Sequence, residues 1–512
     1  ELSYDREYPN AANIYRLYRQ ADTPDGRMVD STCPAGTRDA LKGKFPGVVD
    51  VVSYMRPRWV LSTEGKKFSQ VVATASPSIF DIFSIELIRG DRETALSSLT
   101  NIVITAELAE KFFGDEDPIG KTIQVETWYN AVVTGVMKKL PDRTTVHDFD
   151  AVVNIDLLGP LWGRDMSDMK VGNYMSYMLT EPGADMNSIR ASIAGIFQPF
   201  FPEETMNGLM IELAPHPLLR ERLHDMEGGG LITYVYTFSI VGVIILLIAC
   251  FNYMNLSTAR SRKRAIEVGI RRVVGADKRQ LARQFFGEAL VMSSVAALMA
   301  VALTLALLPW FNRIVGKELA LSMDIRTVLL FAAVTLVTGI LSGTYPAIIL
   351  SAFEPATVLK SRAADRVRGA WFRRALVVTQ FTISIFLVIG SLVIYRQLDY
   401  IKNKDLGFRT TNVIEFQLSS NIRKQYDSFR QILLDHPGIS GVTRTNAPPV
   451  YRESSTGGDN ITWEGKDPGD LVSDFGLMGT DTGFLQVFRP EIVTGRFFSD
   501  EFPSDMKSGA VI

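Results

Sequence analysis

Residues 238–256 read FSIVGVIILLIACFNYMNL, without one Asp, Glu, Lys, Arg or His. A helix crossing the hydrocarbon core of a bilayer needs about 20 consecutive apolar residues, and the uncharged segment 228–259 around this stretch is long enough. Three more segments repeat the pattern. They are 289–312 around LVMSSVAALMAVALTLALLPW, 327–353 around VLLFAAVTLVTGILSGTYPAIIL, and 375–395 around LVVTQFTISIFLVIGSLVIY. Buried core helices of a soluble protein are the competing explanation, but four such runs bounded by Arg or Glu argue for membrane spans. None carries an ionisable residue in its interior, which weighs against proton-coupled transport and against an intramembrane protease.

Charge between the spans sets their direction. The loop after the first span holds Arg260, Arg262, Lys263, Arg264, Arg271, Arg272, Lys278, Arg279 and Arg283 against Glu267, Asp277 and Glu288. The loop after the third holds Lys360, Arg362, Arg366, Arg368, Arg373 and Arg374 against Glu354 and Asp365. Lys and Arg accumulate in cytoplasmic loops, so both basic loops are placed inside and residues 1–227 and 396–512 outside. The acid-rich first segment, with stretches such as GDEDP, suits the outer face.

The two outward segments resemble each other. TASPSIFDIFSIELIRG (74–90) aligns without gaps on GTDTGFLQVFRPEIVTG (479–495), matching Phe83 with Phe488, Glu86 with Glu491 and Gly90 with Gly495. FPGVVDVVSY (45–54) matches HPGISGVTRT (436–445), and NIVIT (101–105) matches GAVI (509–512), in the same order. The expectation is one whole outer domain and most of a second, each mixing short strands with helices, hence α+β. Both chain ends read as cuts through a larger protein.

Residues 114–122, GDEDPIGKT, look like a phosphate-binding loop, but five positions separate Gly114 from Gly120 where the motif has four. The surroundings are also reversed. TAELAEKFF reads as a helix capped by Thr105 and stopped by Gly114, and KTIQV with NAVVTGV as a hairpin. Asp117-Pro118-Ile119-Gly120 is then a turn, and three acids would repel a triphosphate. Four histidines lack metal-ligand spacing, Cys33 and Cys250 lie in unlike segments, and no HExxH or nucleophile set is present. A net charge of −2 without a basic–aromatic patch argues against a nucleic-acid partner. No catalytic, cofactor or metal residues are expected. FQPFFPEETMNGLM (197–210) reads as domain core sooner than as a substrate surface.

The richest stretch chemically is STARSRKRAIEVGIRRVVGADKRQLARQFFGEAL (257–290). Ile266, Ile270, Val273 and Val274 fall at i, i+4, i+7 and i+8, an apolar stripe on a basic helix. Gly275 ends that helix and Asp277 caps the next. Such a stripe suits a partner groove or an anionic lipid surface. Glu267 and the helix–turn–helix favour the partner.

EVGIRRVVGA (267–276) resembles the E-I/V-G-I-R-R-x-x-G-A signature of MacB/FtsX-type ABC transporter permeases. YPAIILSAFEPATVLKSR (345–362) is similar to the end of their third core span, and ELSYDREYPNAANIYRL (1–17) and FFGDEDPIGKTI (112–123) to parts of their periplasmic core domain. The resemblance implies a bacterial inner-membrane protein, α-helical in the membrane, with two α+β MacB-like periplasmic core domains. These would be 1–227 and a truncated 396–512, flanking a three-span domain 228–374 with a linker 354–374 and a fourth span 375–395. A first span and three last ones would be missing. It implies ATP hydrolysis on a separate cytoplasmic ATPase subunit and a coupling helix, 264–276, docking on that subunit. There Ile266 and Ile270 would insert, Arg271 and Arg272 would meet acidic groups and Glu267 a basic one. Gly269 would permit close approach, and Gly275 and Ala276 would close the helix. Outputs consistent with it are efflux, lipoprotein extraction, and mechanotransmission to a cell-wall enzyme, with a periplasmic adaptor or a second permease copy as further partners beside the lipid bilayer. The alternative is a membrane receptor signalling to a cytoplasmic partner.

Overall fold

The computed structural model describes residues 4–505 apart from 24–25, 142, 147, 171, 173, 201–209, 225, 227–229, 260–267, 269, 272–273, 317–318, 322, 352–365, 447–454, 457–474, 477, 500 and 503. The chain forms two compact units, residues 1–233 with 405–512, and residues 234–404.

Among the described residues, a twelve-stranded sheet dominates the first unit. In chain order its strands are β1 (Ile14–Thr23), β2 (Gly26–Asp30), β3 (Val48–Met55), β4 (Arg58–Thr63), β5 (Lys66–Ala75), β6 (Leu87–Arg89), β7 (Asn101–Thr105), β8 (Thr122–Val125), β9 (Tyr129–Met137), β10 (Ala151–Asn154), β11 (Met175–Thr180) and β12 (Glu212–Pro217). They join in the order β10-β7-β9-β8-β4-β5-β3-β11-β1-β12, with β2 added to β1 and β6 to β9. Because β10 also pairs in parallel with β5, six strands close into a ring. Leu61, Ile102, Ile104, Ile123 and Val133 fill a core there. The open half, β3-β11-β1-β12, buries Leu17, Val51, Met178 and Leu213 with Ile189 and Ile193 of helix Met186–Ile193.

Local chemistry sets these elements. The β-branched run of β7 is buried from Ile102 onward. Its last residue, Thr105, caps helix Ala106–Phe113 by accepting from Leu108 N at 3.3 Å, and Gly114 stops it. The turn at 117–120 closes as its sequence predicts. Ile119 N donates to Asp117 Oδ1 at 3.1 Å and Lys121 N to Pro118 O at 3.1 Å. β8 and β9 then pair antiparallel. Two of the acids that argue against a phosphate loop are occupied, Glu116 by Lys121 and Asp117 by Arg89 at 3.0 Å. Phe197 is core, packed with Ile193, while Phe200 and Met210 are exposed; 201–209 lie outside the described residues.

In residues 405–512 the described elements are helices Ser420–Lys424, Tyr426–Leu434 and Phe484–Phe488, the short strand pair Ser455–Thr456 with Phe475–Gly476, and a bridge Thr445↔Thr480. The Asp481 carboxylate gathers this region. It accepts from Tyr426 OH at 2.7 Å, Thr443 Oγ1 at 2.5 Å and Gly483 N at 3.0 Å.

The second unit holds long helices, Ile232–Ala259, Lys278–Val315, Ile325–Ser351 and Arg366–Asn403. Among the described residues four helices are long and apolar enough to cross a membrane. The second begins well before its apolar run, at Lys278, and runs through Pro309. Helices Lys278–Val315 and Ile325–Ser351 pack along a ridge of small residues. A Cβ on Gly339 would lie 3.1 Å from Leu290 Cα, and one on Gly343 3.0 Å from Phe286 Cδ1 and 3.1 Å from Ala289 Cβ. Small residues let transmembrane backbones approach this closely where burial in lipid offers no hydrophobic drive. Ser293 Oγ adds a bond to Thr335 O at 2.8 Å.

Candidate functional site: the segment after the first membrane helix

Of the eight residues singled out between 266 and 276, Ile270, Arg271, Gly275 and Ala276 are described, whereas Ile266, Glu267, Gly269 and Arg272 lie outside the described residues. Val268, Ile270 and Arg271 are helical. The helix closes as its sequence suggests. Val274 N donates to Ile270 O at 3.1 Å and Ala276 N reaches back to Arg271 O at 2.9 Å, with Gly275 between them at φ +103°. That positive φ is easy only for glycine, and the long return bond belongs to a Schellman-type ending. Asp277 N then donates to Gln280 Oε1 at 3.3 Å as the next helix starts.

The two sides of this short helix differ. Val268 is 3% exposed and packs with Leu281 and Phe285 of the second membrane helix and with Ala347 of the third. Ala347 extends the small-residue ridge of Gly339 and Gly343 by another helical turn, so the segment rests on the tightly packed helix pair. Ile270 and Val274, one turn apart, are instead 60% and 82% exposed. Apolar residues this exposed beside arginines suit a partner groove. Arg271 donates from Nη1 to Gln284 Oε1 at 2.6 Å, and Gln284 Nε2 donates to Glu288 Oε1 at 3.2 Å. The guanidinium is thus directed along the second helix.

Sequence reasoning picked Ile270 and Val274 from their spacing but missed Val268, which is off the stripe. The signal for it lay in the next helix, where Leu281 and Phe285, four residues apart, form part of the wall Val268 needs. Among the described residues no group of three His, Cys, Asp or Glu is placed to hold a metal.

Comparison with known proteins agrees with this layout. Residues 1–196 match the family model of the MacB-like periplasmic core domain, and residues 239–355 that of the FtsX-like permease C-terminal domain. The chain is 27% identical to the pyoverdine export ATP-binding/permease protein PvdT of Pseudomonas syringae, over 51% of this chain and 37% of that one. It is 26% identical to the macrolide export ATP-binding/permease protein MacB of Neisseria gonorrhoeae, over 51% and 38%. The chain spans less than half the length of these relatives. Among solved structures, a permease domain from Porphyromonas gingivalis aligns at 21% identity and TM-score 0.37, covering 42% of this chain and 92% of that one. The chain is of the MacB/FtsX type, pairing a MacB-like periplasmic core domain with an FtsX-like permease domain. It is a multi-pass protein of the bacterial inner membrane.

Proposed function

We propose that this chain is the permease component of an ATP-driven transporter in which hydrolysis, on a separate cytoplasmic ATPase subunit, moves the periplasmic domains through a coupling helix at 264–276. The observation that carries it is the division of labour in that helix: Val268 is anchored on the membrane helices while Ile270 and Val274 are presented. A helix fixed to a rigid pair on one side and open on the other passes a push from a docked partner to the spans. The relatives are named ATP-binding/permease proteins. The stretch that resembles a phosphate loop, 114–122, is instead a turn in which Glu116 and Asp117 are engaged. The lack of ionisable residues inside the spans favours mechanical output over passage of a solute through the bundle. Export, which the relatives' names state of pyoverdine and of a macrolide for those proteins, and extraction of a membrane-held substrate both fit. A periplasmic adaptor and a second permease copy are further proposed partners.

The boundaries that go with this are a first α+β periplasmic domain at 1–227, a three-span domain at 228–374 with linker 354–374, a span at 375–395, and a second α+β domain from 396. The case for the second copy rests on paired geometry. Ser84 and Arg489, aligned by the repeat, have φ of +50° and +48°, and Gly90 and Gly495 have +91° and +83°. Tyr54↔Ala75 in the first segment corresponds to the bridge Thr445↔Thr480 in the second. Helix Ile79–Ile82 likewise corresponds to Phe484–Phe488. Positive φ in a non-glycine residue is uncommon, so its recurrence at aligned positions is informative.

The test is a photo-crosslinking amino acid at Val274 in the full-length protein in cells. Docking predicts one dominant adduct, identified by mass spectrometry as a nucleotide-binding ABC subunit. An adduct with lipid alone would contradict it. The receptor alternative predicts a signalling partner without an ATP-binding fold.

A further inference from the structure

The stretch between β12 and helix Ile232–Ala259 meets both Tyr4 and β1. The Arg222 guanidinium lies 4.6 Å over the Tyr4 ring. Next to Tyr4, the buried Asp5 carboxylate accepts from Thr144 Oγ1 at 2.9 Å, Thr145 N at 2.7 Å and Thr145 Oγ1 at 2.7 Å. Next to Arg222, Glu221 Oε1 accepts from both Arg16 Nη1 and Tyr18 OH on β1. The Arg16 and Glu221 side chains are 12% and 8% exposed.

The position of this pair matters more than its strength. The β1–β12 ladder ends at Tyr15↔Pro217, and proline has no N–H with which to extend it. Beyond that point the chain turns through helix Leu218–Glu221, and the Glu221 carboxylate carries the attachment to β1 onward. Backbone bonds then lead toward the membrane helix. His224 N donates to Arg220 O at 2.8 Å, Leu223 N to Arg220 O at 3.0 Å, and Ile232 N to Leu223 O at 3.0 Å. At the other end of this path stands β1, which pairs with β2, β11 and β12. A desolvated ion pair adds little net stability, yet breaking one side of it leaves a buried charge exposed to no compensation. It therefore resists being pulled apart.

We propose that the Arg16–Tyr18–Glu221 cluster, closed by Tyr4 against Arg222, is the joint that delivers movement of helix Ile232–Ala259 to the periplasmic sheet, with Glu221 as the positioning residue. This rests on the ATP-driven function proposed above. The experiment uses the full-length protein with its ATPase in nanodiscs and two spin-label pairs. Leu303 with Leu392 reports the membrane helices, and Lys67 with Leu398 reports the periplasmic sheet. Distances are compared without nucleotide and after trapping with ATP and vanadate. In wild type both pairs shift. In Glu221→Gln the membrane pair still shifts and the sheet pair loses its shift. Glu212→Gln, which neutralises another β12 carboxylate, the acceptor for Gln20 of β1, keeps both. An equal sheet shift in Glu221→Gln and wild type overturns the joint, as does loss of the shift in Glu212→Gln too. A silent membrane pair in wild type instead overturns the ATP-driven function. If Glu221→Gln does not accumulate, Tyr18→Phe keeps the ion pair and removes one hydroxyl. A reduced sheet shift then supports the joint, and an unchanged one refutes it.

Discussion

Val268 carries a test of the anchoring described here. Replacing it with Asp puts a charge among Leu281, Phe285 and Ala347, where an unpaired carboxylate is costly. The expected result is a protein that still inserts and still binds its ATPase through Ile270 and Val274, yet no longer stimulates ATP turnover on addition of substrate. His216 offers a second test. Burial holds its imidazole below the ordinary value of 6.5. Above that value both folded and unfolded states are neutral there; below it the unfolded chain takes the proton first, so stability falls as pH drops through 6.5 toward the folded value. The protection factors of β12 amides in the full-length protein, taken relative to the intrinsic exchange rate at each pH, fall on going from about pH 7.5 to about pH 5.5, and His216→Asn reduces that fall. An identical pH response in the variant would remove His216 from the explanation. At this scale the sequence reveals exposed candidates better than buried ones. The spacing of Ile270 and Val274 is visible in one helix, whereas Val268 acquires its role from a wall built by two others, and Arg16 finds Glu221 at a separation of 205 residues.

Among elements, helix Ala106–Phe113 and the membrane pair give contrasting predictions. Thr105→Ala removes the bond to Leu108 N and is expected to cost about 1 kcal/mol, read as a lower melting temperature with unchanged topology. Gly343→Leu is harsher, because its Cβ alone meets Phe286 and Ala289 at 3.0–3.1 Å. Overpacking of that kind costs roughly 1–3 kcal/mol or forces the helices apart. Engineered cysteines at Ser293 and Thr335, which are bonded across the pair in the native chain, should cross-link poorly in the Gly343→Leu background. Efficient cross-linking there would mean the close approach is dispensable. The cap, the proline turn and the β8–β9 hairpin are legible because their determinants are neighbours in sequence. The ring closed by β10 on β5 is not, since parallel pairing of distant strands leaves no local trace beyond two apolar runs.

For the whole molecule, composition carried most of the information. Absence of charge over four segments and its concentration between them are global properties that one sequence displays directly. The same bias predicts topology. Single cysteines at Lys67 and Arg409 should react with a membrane-impermeant thiol reagent from the periplasmic side, and one at Lys278 only after the inner membrane is opened. Labelling of Lys278 in sealed cells would reverse the orientation. What composition does not convey is which partner meets the basic loop, because a lipid surface and a protein groove both favour arginine beside apolar residues. The measurement that decides this is ATPase retention by the full-length protein purified in detergent, compared between wild type and Ile270→Asp with Val274→Asp. Co-purification of an active ABC ATPase with wild type and its loss from the folded, inserted double variant is the predicted result. Equal retention by both proteins, or no ATPase with either, would contradict the coupling role of 264–276.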